Sequence, residues 1–306
     1  MALFRALESL RPAGERLCSD PDAALFLSGW RRSLYRWAAL TGGRRLAEAL
    51  LDGFAPGARA AGIARTKWLD EQASQALREC GQLVLLGAGF DMRAWRLPAA
   101  ECARVFELDH PETSAAKQAA LGALVPPRAG RVSYAAIDFN RKPLAGRQAA
   151  SGGPARSTES ATRSSPVTGG ALGGTLFEAG FERSRPACWI WEGVTNYLAP
   201  EAVDATLRQI REASDRGVLL VTYLDRAVLD HPERFRGAEK LMARLRGYGE
   251  PWTFGLDPGE TRAYFAARGF EVVSDLAAAE VWRSAGRSGR AARGYEFYRL
   301  ASARMG

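Results

Sequence analysis

Histidine and lysine are scarce in this 306-residue chain: two histidines, His110 and His231, and four lysines, Lys67, Lys117, Lys142 and Lys240. Cysteine is equally sparse, and Cys18, Cys80, Cys102 and Cys188 lie far apart with no Cys-x-x-Cys pair. Such spacing excludes the usual zinc patterns and a disulfide framework, so no metal is expected and the thiols read as reduced. Runs approaching the ~18 apolar residues of a membrane span are also missing. The start, MALFRALESLRPAGERL, reads as an amphipathic helix, because Arg5, Glu8 and Arg11 break the apolar core a signal peptide needs. No membrane partner and a cytoplasmic location are the resulting expectations.

What the chain has in plenty is arginine, which lifts the formal net charge to +8. A basic balance can mark a nucleic-acid or membrane-surface partner. Here the arginines are spread along the whole chain without an aromatic RNA-binding signature, so nucleic acid is not the expected partner.

Residues 1–80 read as helical, with apolar positions recurring at helical spacing in AALFLSGWRRSLYRWAAL and from Ile63 to Leu77. Asp20-Pro21 supplies an acid to cap a helix and a proline for its first turn. From residue 82 the pattern becomes short apolar runs alternating with helices: QLVLLGAGF, ARVFELDHP, RVSYAAIDF, ACWIWEGV and GVLLVTYLD, then a closing pair in GFEVVSDL and RGYEFYRLASA. Strands alternating with helices predict an α/β, Rossmann-like doubly wound sheet of about seven strands, mostly parallel with an antiparallel edge strand. The expected organisation is a single domain, 1–306: a helical N-terminal cap (1–80), a core (82–145 and 175–306), and a helical cap insertion after strand five (226–260). Residues 146–174, rich in Gly, Ser, Thr, Arg and Pro, lack the apolar side chains needed to order themselves and read as a disordered insertion.

Chemistry concentrates at the ends of the strands. Gly87-Ala88-Gly89 directly after a buried strand lets the backbone turn tightly against a ligand. A nicotinamide fingerprint would place a third glycine at position 92, where this chain has Met92, so a cofactor without a pyrophosphate fits better. About twenty residues on, Glu107 and Asp109 share a strand face, and either could hold ribose hydroxyls. Asp138 ends the third strand and Glu192 the fourth. Ligands of open α/β sheets sit outside the carboxyl ends of the strands. Gly87, Asp109, Asp138 and Glu192 should therefore meet on one rim, where clustered carboxylates call for a ligand offering donors and positive charge. Trp95, Trp189 and Trp191 read as core, while Tyr197, Trp252 and Phe254 suit either packing or an acceptor pocket.

In order and spacing, ARTKWLDEQ, VLLGAGFDMRAWRL, VFELDHPETSAAK, AIDF, WIWEGVTNYLAPEAVDATL and GEPWTFGLDP resemble the leucine carboxyl methyltransferase family. This is a branch of the class I methyltransferases that includes bacterial polyketide O-methyltransferases. The resemblance runs from about Asp20 to the C-terminus. It implies S-adenosyl-L-methionine as cofactor and O-methylation of a carboxylate or hydroxyl on a small, polyketide-like acceptor. Position by position it implies Arg65 on the methionine carboxylate, Gly87 against the cofactor and Asp109 on the ribose. Asp138 and Phe139 would flank adenine, and Glu192 would lie near the amino-acid portion or sulfonium. Leu85 stands where many class I methyltransferases carry an acid, and the resembled family lacks that acid as well. No catalytic residue is implied: a carboxylate acceptor needs no base, whereas a hydroxyl acceptor would make His110 or His231 a candidate. Methylation of a protein C-terminus is the alternative within the family. Outside it stand a nicotinamide oxidoreductase and a non-catalytic nucleotide- or RNA-binding protein.

Overall fold

A computed structural model describes residues 1–122, 131–139, 172–288 and 293–306, excepting the side chain of Cys102. The N-terminal region is helical: α1 (Ala2–Ser9), α2 (Gly29–Thr41), α3 (Arg44–Phe54) and α4 (Ala58–Ala76), with a 3-10 turn over Pro21–Phe26. That turn begins as the sequence suggests, with the Asp20 carboxylate accepting the Ala23 N–H at 3.1 Å. Then follow β1 (Gln82–Leu86), α5 (Arg93–Arg96), β2 (Arg104–Asp109), α6 (Pro111–Leu121), β3 (Val132–Ala136), α7 (Leu172–Glu178) and β4 (Ala187–Trp191). The chain continues through α8 (Pro200–Ala213), β5 (Gly217–Leu224), α9 (Ala227–Asp230), α10 (Ala238–Gly247), α11 (Thr261–Ala266), β6 (Glu271–Ala277), α12 (Ala278–Ser284) and β7 (Tyr298–Met305).

The strands form one seven-stranded sheet in the order β3-β2-β1-β4-β5-β7-β6. β1 to β5 are parallel. The antiparallel strand, β7, sits one place in from the edge, paired with β5 on one side and β6 on the other. Alternation along each strand divides the core. Leu83 and Leu85 of β1, Cys188 and Ile190 of β4 and Leu220 of β5 pack beneath α4 and α12. Val84, Leu86, Trp189, Trp191, Leu219 and Val221 face α7, α8 and α11 on the opposite side. Both faces are therefore apolar, which is why these strands read as continuous hydrophobic runs. Trp189 and Trp191 are fully buried, and Trp95 packs half-buried against the first of these clusters.

The insertion expected at 146–174 lies outside the described residues as far as position 171. Its last three residues are a correction: Leu172, Gly173 and Gly174 open α7, because Leu172 and Leu176 are buried against the sheet and anchor that turn. After β5, α9 and α10 supply helices in the expected insertion. Its end returns to the sheet, where Leu256 bridges Asp225 in parallel. None of the described helices is long and apolar enough to cross a membrane. Cys18, Cys80 and Cys188 are buried free thiols, and burial pushes Cys18 up to about 12 and Cys80 up to about 11.

Candidate active site

Strand order reverses between β1 and β4: β2 and β3 extend to one side of β1, and the chain then crosses back to lay β4 on the other. Such a switch point leaves a crevice at the carboxyl ends of the strands. Gly87 follows β1 there with φ +64°, and Gly89 has φ +46°, conformations that glycine adopts without strain. The amides of Gly87 and Ala88 both donate to the Leu108 carbonyl, at 2.8 and 3.1 Å, folding the turn over the end of β2. A side chain at position 87 would overlap Val194 Cγ2.

Glu107 and Asp109 separate cleanly. Glu107 is buried and bonded to the equally buried Lys117 at 2.7 Å. Burial pushes its carboxyl up to about 7, with the Lys117 ammonium pulling the other way. Asp109 is half-buried at the rim. One of its oxygens accepts the Gly89 N–H and the other accepts the His110 N–H at 2.6 Å. Bonds from two amides fix its orientation and leave lone pairs toward the crevice. Asp138 is exposed two residues beyond the end of β3, rather than at its last position. Phe139, half-buried, turns back over the sheet to bring its ring centroid 6.4 Å from that of Trp191.

Glu192 follows β4 and meets Arg65 of α4: its Oε1 lies 2.6 Å from Arg65 Nε, and its Oε2 accepts from Arg93 Nη1 at 2.5 Å. Burial would raise the Glu192 carboxyl, but Arg93 and then Arg65 outweigh it and hold the group well below the usual carboxylate range. The Arg65 guanidinium also lies 5.0 Å from the Tyr298 ring centroid. Its two terminal amino groups stand beside Gly193, 3.7 and 3.9 Å from where a Cβ would be. They make no hydrogen bond among the described residues and remain available for an anion.

Arg93, only 2% exposed, escaped the sequence reading and is the hub of this region. Besides Glu192 it bonds Asp70 at 2.8 Å and Asp91 at 2.5 Å. Burial works against the Asp91 carboxylate, and Arg93 more than compensates, leaving its pKa lowered. Arg96 grips Asp70 with two bonds, at 2.6 and 2.8 Å, and lies 3.5 Å from Asp20. Asp20 also accepts from Arg5 at 2.7 Å. Arg5 in turn donates to the Phe90 carbonyl at 2.7 Å, and Phe26 stacks on Phe90 at 4.6 Å, docking the N-terminal layer onto the glycine turn. Of the three carboxylates expected at the rim, Glu192 is already paired with Arg65 and Arg93, as Asp91 is with Arg93 and Asp70 with Arg96, whereas Asp109 is held by backbone amides. The one sequence signal for this is Asp91, Arg93 and Arg96 set among apolar side chains in DMRAWRL.

Beside Arg65 and Tyr298, Trp252 and Tyr295 pack half-buried around Phe297, with ring centroids 5.6 and 5.0 Å from it. Tyr197 is 38% exposed. Phe254 instead belongs to the core under α11. Both histidines are exposed: His110 at the start of α6, directly after Asp109, and His231 beside Glu233 at 3.4 Å.

The profile of the leucine carboxyl methyltransferase family matches residues 1–161 and 167–211. The chain belongs to that family. It is 30% identical over 253 residues to a Mycobacterium sp. (strain JLS) protein provisionally named an S-adenosyl-L-methionine-dependent methyltransferase, an alignment covering 78% of this chain and 68% of that protein. A similarly named Mycolicibacterium smegmatis relative is 29% identical over 215 residues, covering 70% of this chain and 60% of its own length. The chain thus spans roughly two thirds of the length of these relatives. Among solved structures, a provisionally titled methyltransferase from Thermobifida fusca superposes with TM-score 0.56 at 17% identity, covering 99% of this chain and 94% of that one. A DUF574 family protein from Streptomyces avermitilis gives TM-score 0.56 at 11% identity, covering 98% and 100%. Membership brings S-adenosyl-L-methionine as the cofactor and methyl transfer as the class of reaction.

Proposed function

We propose that this leucine carboxyl methyltransferase family member transfers the methyl group of S-adenosyl-L-methionine to an oxygen of a small, apolar acceptor of polyketide-like character. Arg65, Gly87, Asp109, Asp138, Phe139 and Glu192 form the cofactor site in this reading. The residues fit the group. Asp109 offers acceptor lone pairs for ribose hydroxyls beside a turn that only glycine permits. The free amino groups of Arg65 suit the methionine carboxylate, and Glu192, kept ionised, suits a positive ammonium or sulfonium. Phe139 supplies an apolar face for adenine and Asp138 an acceptor for its amino group.

The single observation that carries the acceptor reading is that the groups gathered around Glu192 among the described residues are arginines and carboxylates, while both histidines are exposed outside that cluster. When bound, the cofactor supplies an electrophilic methyl group. The protein then has to hold an acceptor oxygen in line and exclude water, an effect of position rather than proton transfer. A carboxylate is already nucleophilic, so this wall of arginine, carboxylate and aromatic groups favours a carboxylate over an alcohol. Tyr197, Trp252 and Tyr295 offer the acceptor an aromatic surface. Methylation of a protein C-terminus is the alternative, with the same chemistry on a larger acceptor.

The test is calorimetric titration of S-adenosyl-L-methionine and of NAD into the intact protein, Asp109→Ala and Glu192→Ala. Binding of the methyl donor alone, weakened at least about tenfold in each variant, supports the site. Unchanged affinity in both variants refutes it. With a methyl-labelled donor and a panel of small acids and phenols, base-labile label marks an ester, and base-stable label would overturn the carboxylate reading.

A further inference from the structure

α2 and α3 form a helical hairpin. Its inner side is closed: Ala38, Ala47 and Leu51 are buried with Leu3, Ala6 and Leu7 of α1. Its outer side is open, with Trp30 58%, Leu40 86%, Leu46 56%, Leu50 58% and Phe54 66% exposed. Leu46, Leu50 and Phe54 recur at every fourth position, so they line up as one stripe along α3. On α2, Arg32, Arg36 and Leu40 do the same. Single exposed apolar residues are ordinary, whereas a contiguous set of this size marks a surface that meets a partner.

The charge of the hairpin says which partner. The hairpin carries two acids, and both are taken: Glu48 is buried between Arg11 at 2.7 Å and Arg44 at 2.8 Å, and Asp52 pairs with Arg59 of α4 at 2.6 Å. Arg31, Arg32, Arg36 and Arg45 are exposed and form no ion pair among the described residues. Arg244 of α10 adds another guanidinium, 4.5 Å from the Phe54 ring centroid. A second copy of the chain would suit the apolar stripe, but a two-fold interface lays a face against itself and would oppose four unpaired arginines to four more. An anionic bilayer suits both features. Its phosphates take the arginines, and the indole and leucine side chains lie at headgroup and upper acyl depth, as in helices that rest in the interface plane.

We propose that the outer face of the α2–α3 hairpin docks this chain on an anionic lipid surface. On this proposal the chain lies on the membrane without crossing it, which departs from the expectation of no membrane partner. Docking rests on the hairpin alone and does not depend on the identity of the methyl acceptor.

The test is co-sedimentation of the full chain with vesicles of phosphatidylcholine alone and of phosphatidylcholine mixed equally with phosphatidylglycerol. Binding is expected only to the anionic vesicles and falls as salt is raised. Arg32→Glu/Arg36→Glu should weaken it by roughly thirtyfold or more, from about fivefold per arginine near such a surface. Leu40→Ser/Leu50→Ser should weaken it as well. All four positions are exposed, so thermal unfolding midpoints should stay near that of the parent. Failure to sediment with anionic vesicles overturns the proposal, and so does binding that neither double variant alters. A concentration-dependent dimer lost in Leu40→Ser/Leu50→Ser, without vesicle binding, assigns the face to a second copy instead.

Discussion

Replacing Arg93 with methionine keeps most of the side-chain volume and removes the charge that three carboxylates share. Two of the three keep another cation: Glu192 retains Arg65 at 2.6 Å, and Asp70 retains Arg96 at 2.6 Å. Asp91 keeps less: among the described residues its carboxylate bonds Arg93 alone, through the guanidinium at 2.5 Å and the backbone amide at 2.8 Å, and Lys117 and Arg96 act on it only through space. Lys117 reaches the Asp91 carbonyl instead of its carboxylate. Leaving this half-buried carboxylate without its bonded cation costs up to about 3–5 kcal/mol, a large part of the ~5–15 kcal/mol that holds a typical domain folded. Urea unfolding of Arg93→Met should therefore show a loss in that range, together with weaker binding of S-adenosyl-L-methionine as Glu192 loses one of its two anchors. Adding Asp91→Asn removes the stranded charge, so the double variant should recover about 1 kcal/mol or more of what Arg93→Met loses. Strict additivity, or a loss below about 1 kcal/mol for Arg93→Met, would refute the hub. The pH dependence provides a second check. Glu192 and Asp91 have folded-state pKa values below their unfolded ones, so their stabilisation is complete above the unfolded values and disappears as pH falls through the folded ones. Acid destabilisation below about pH 4.5 should shrink in Arg93→Met, because less of it remains to be lost.

Three further outcomes follow. Gly87→Ala forces a Cβ into positive φ and into Val194 Cγ2; it should cost about 1–2 kcal/mol from the backbone alone. Adding Val194→Ala should relieve the overlap but not the backbone strain, and full recovery of the unfolding midpoint would show that the turn does not need glycine. Glu107 behaves oppositely to Glu192: with its folded pKa raised from 4.5 to about 7, its contribution is complete below 4.5 and lost as pH rises through 7. Unfolding midpoints taken at about pH 5 and about pH 8 should fall with pH in the parent and less so in Glu107→Gln; an equal fall in both would reject that assignment. His110→Ala and His231→Ala should each keep kcat within about threefold, whereas a general base would be worth roughly a hundredfold or more. A drop of that size in either variant would restore a hydroxyl acceptor.

The sheet was legible because its strands are buried on both faces and so stand out as apolar runs, and because glycines and acids mark where those runs stop. The glycine turn and Asp109 were legible for the same reason: both lie within a few residues of a strand end, where local pattern and tertiary position coincide. Glu107 and Asp109 could not be told apart by alternation, since both point to one face; the decision belongs to Lys117, ten positions away on the next helix. The arginine hub was hidden for a deeper reason. Its members come from positions 5, 20, 65, 70, 91, 93, 96 and 192; Asp20, Arg65 and Glu192 stand out by a helix start, the family resemblance and a strand end, but in a chain already rich in arginine the other five look like ordinary solvated charges. Four arginines there face four acids, so the buried region is neutral in sum. The excess that gives the chain its +8 must then reside elsewhere. Part of it is the unpaired set on α2 and α3. The same arginine that appears in the sequence as a uniform bias is divided by the fold into two uses, one paired with acids beside the strand ends and one left facing outward.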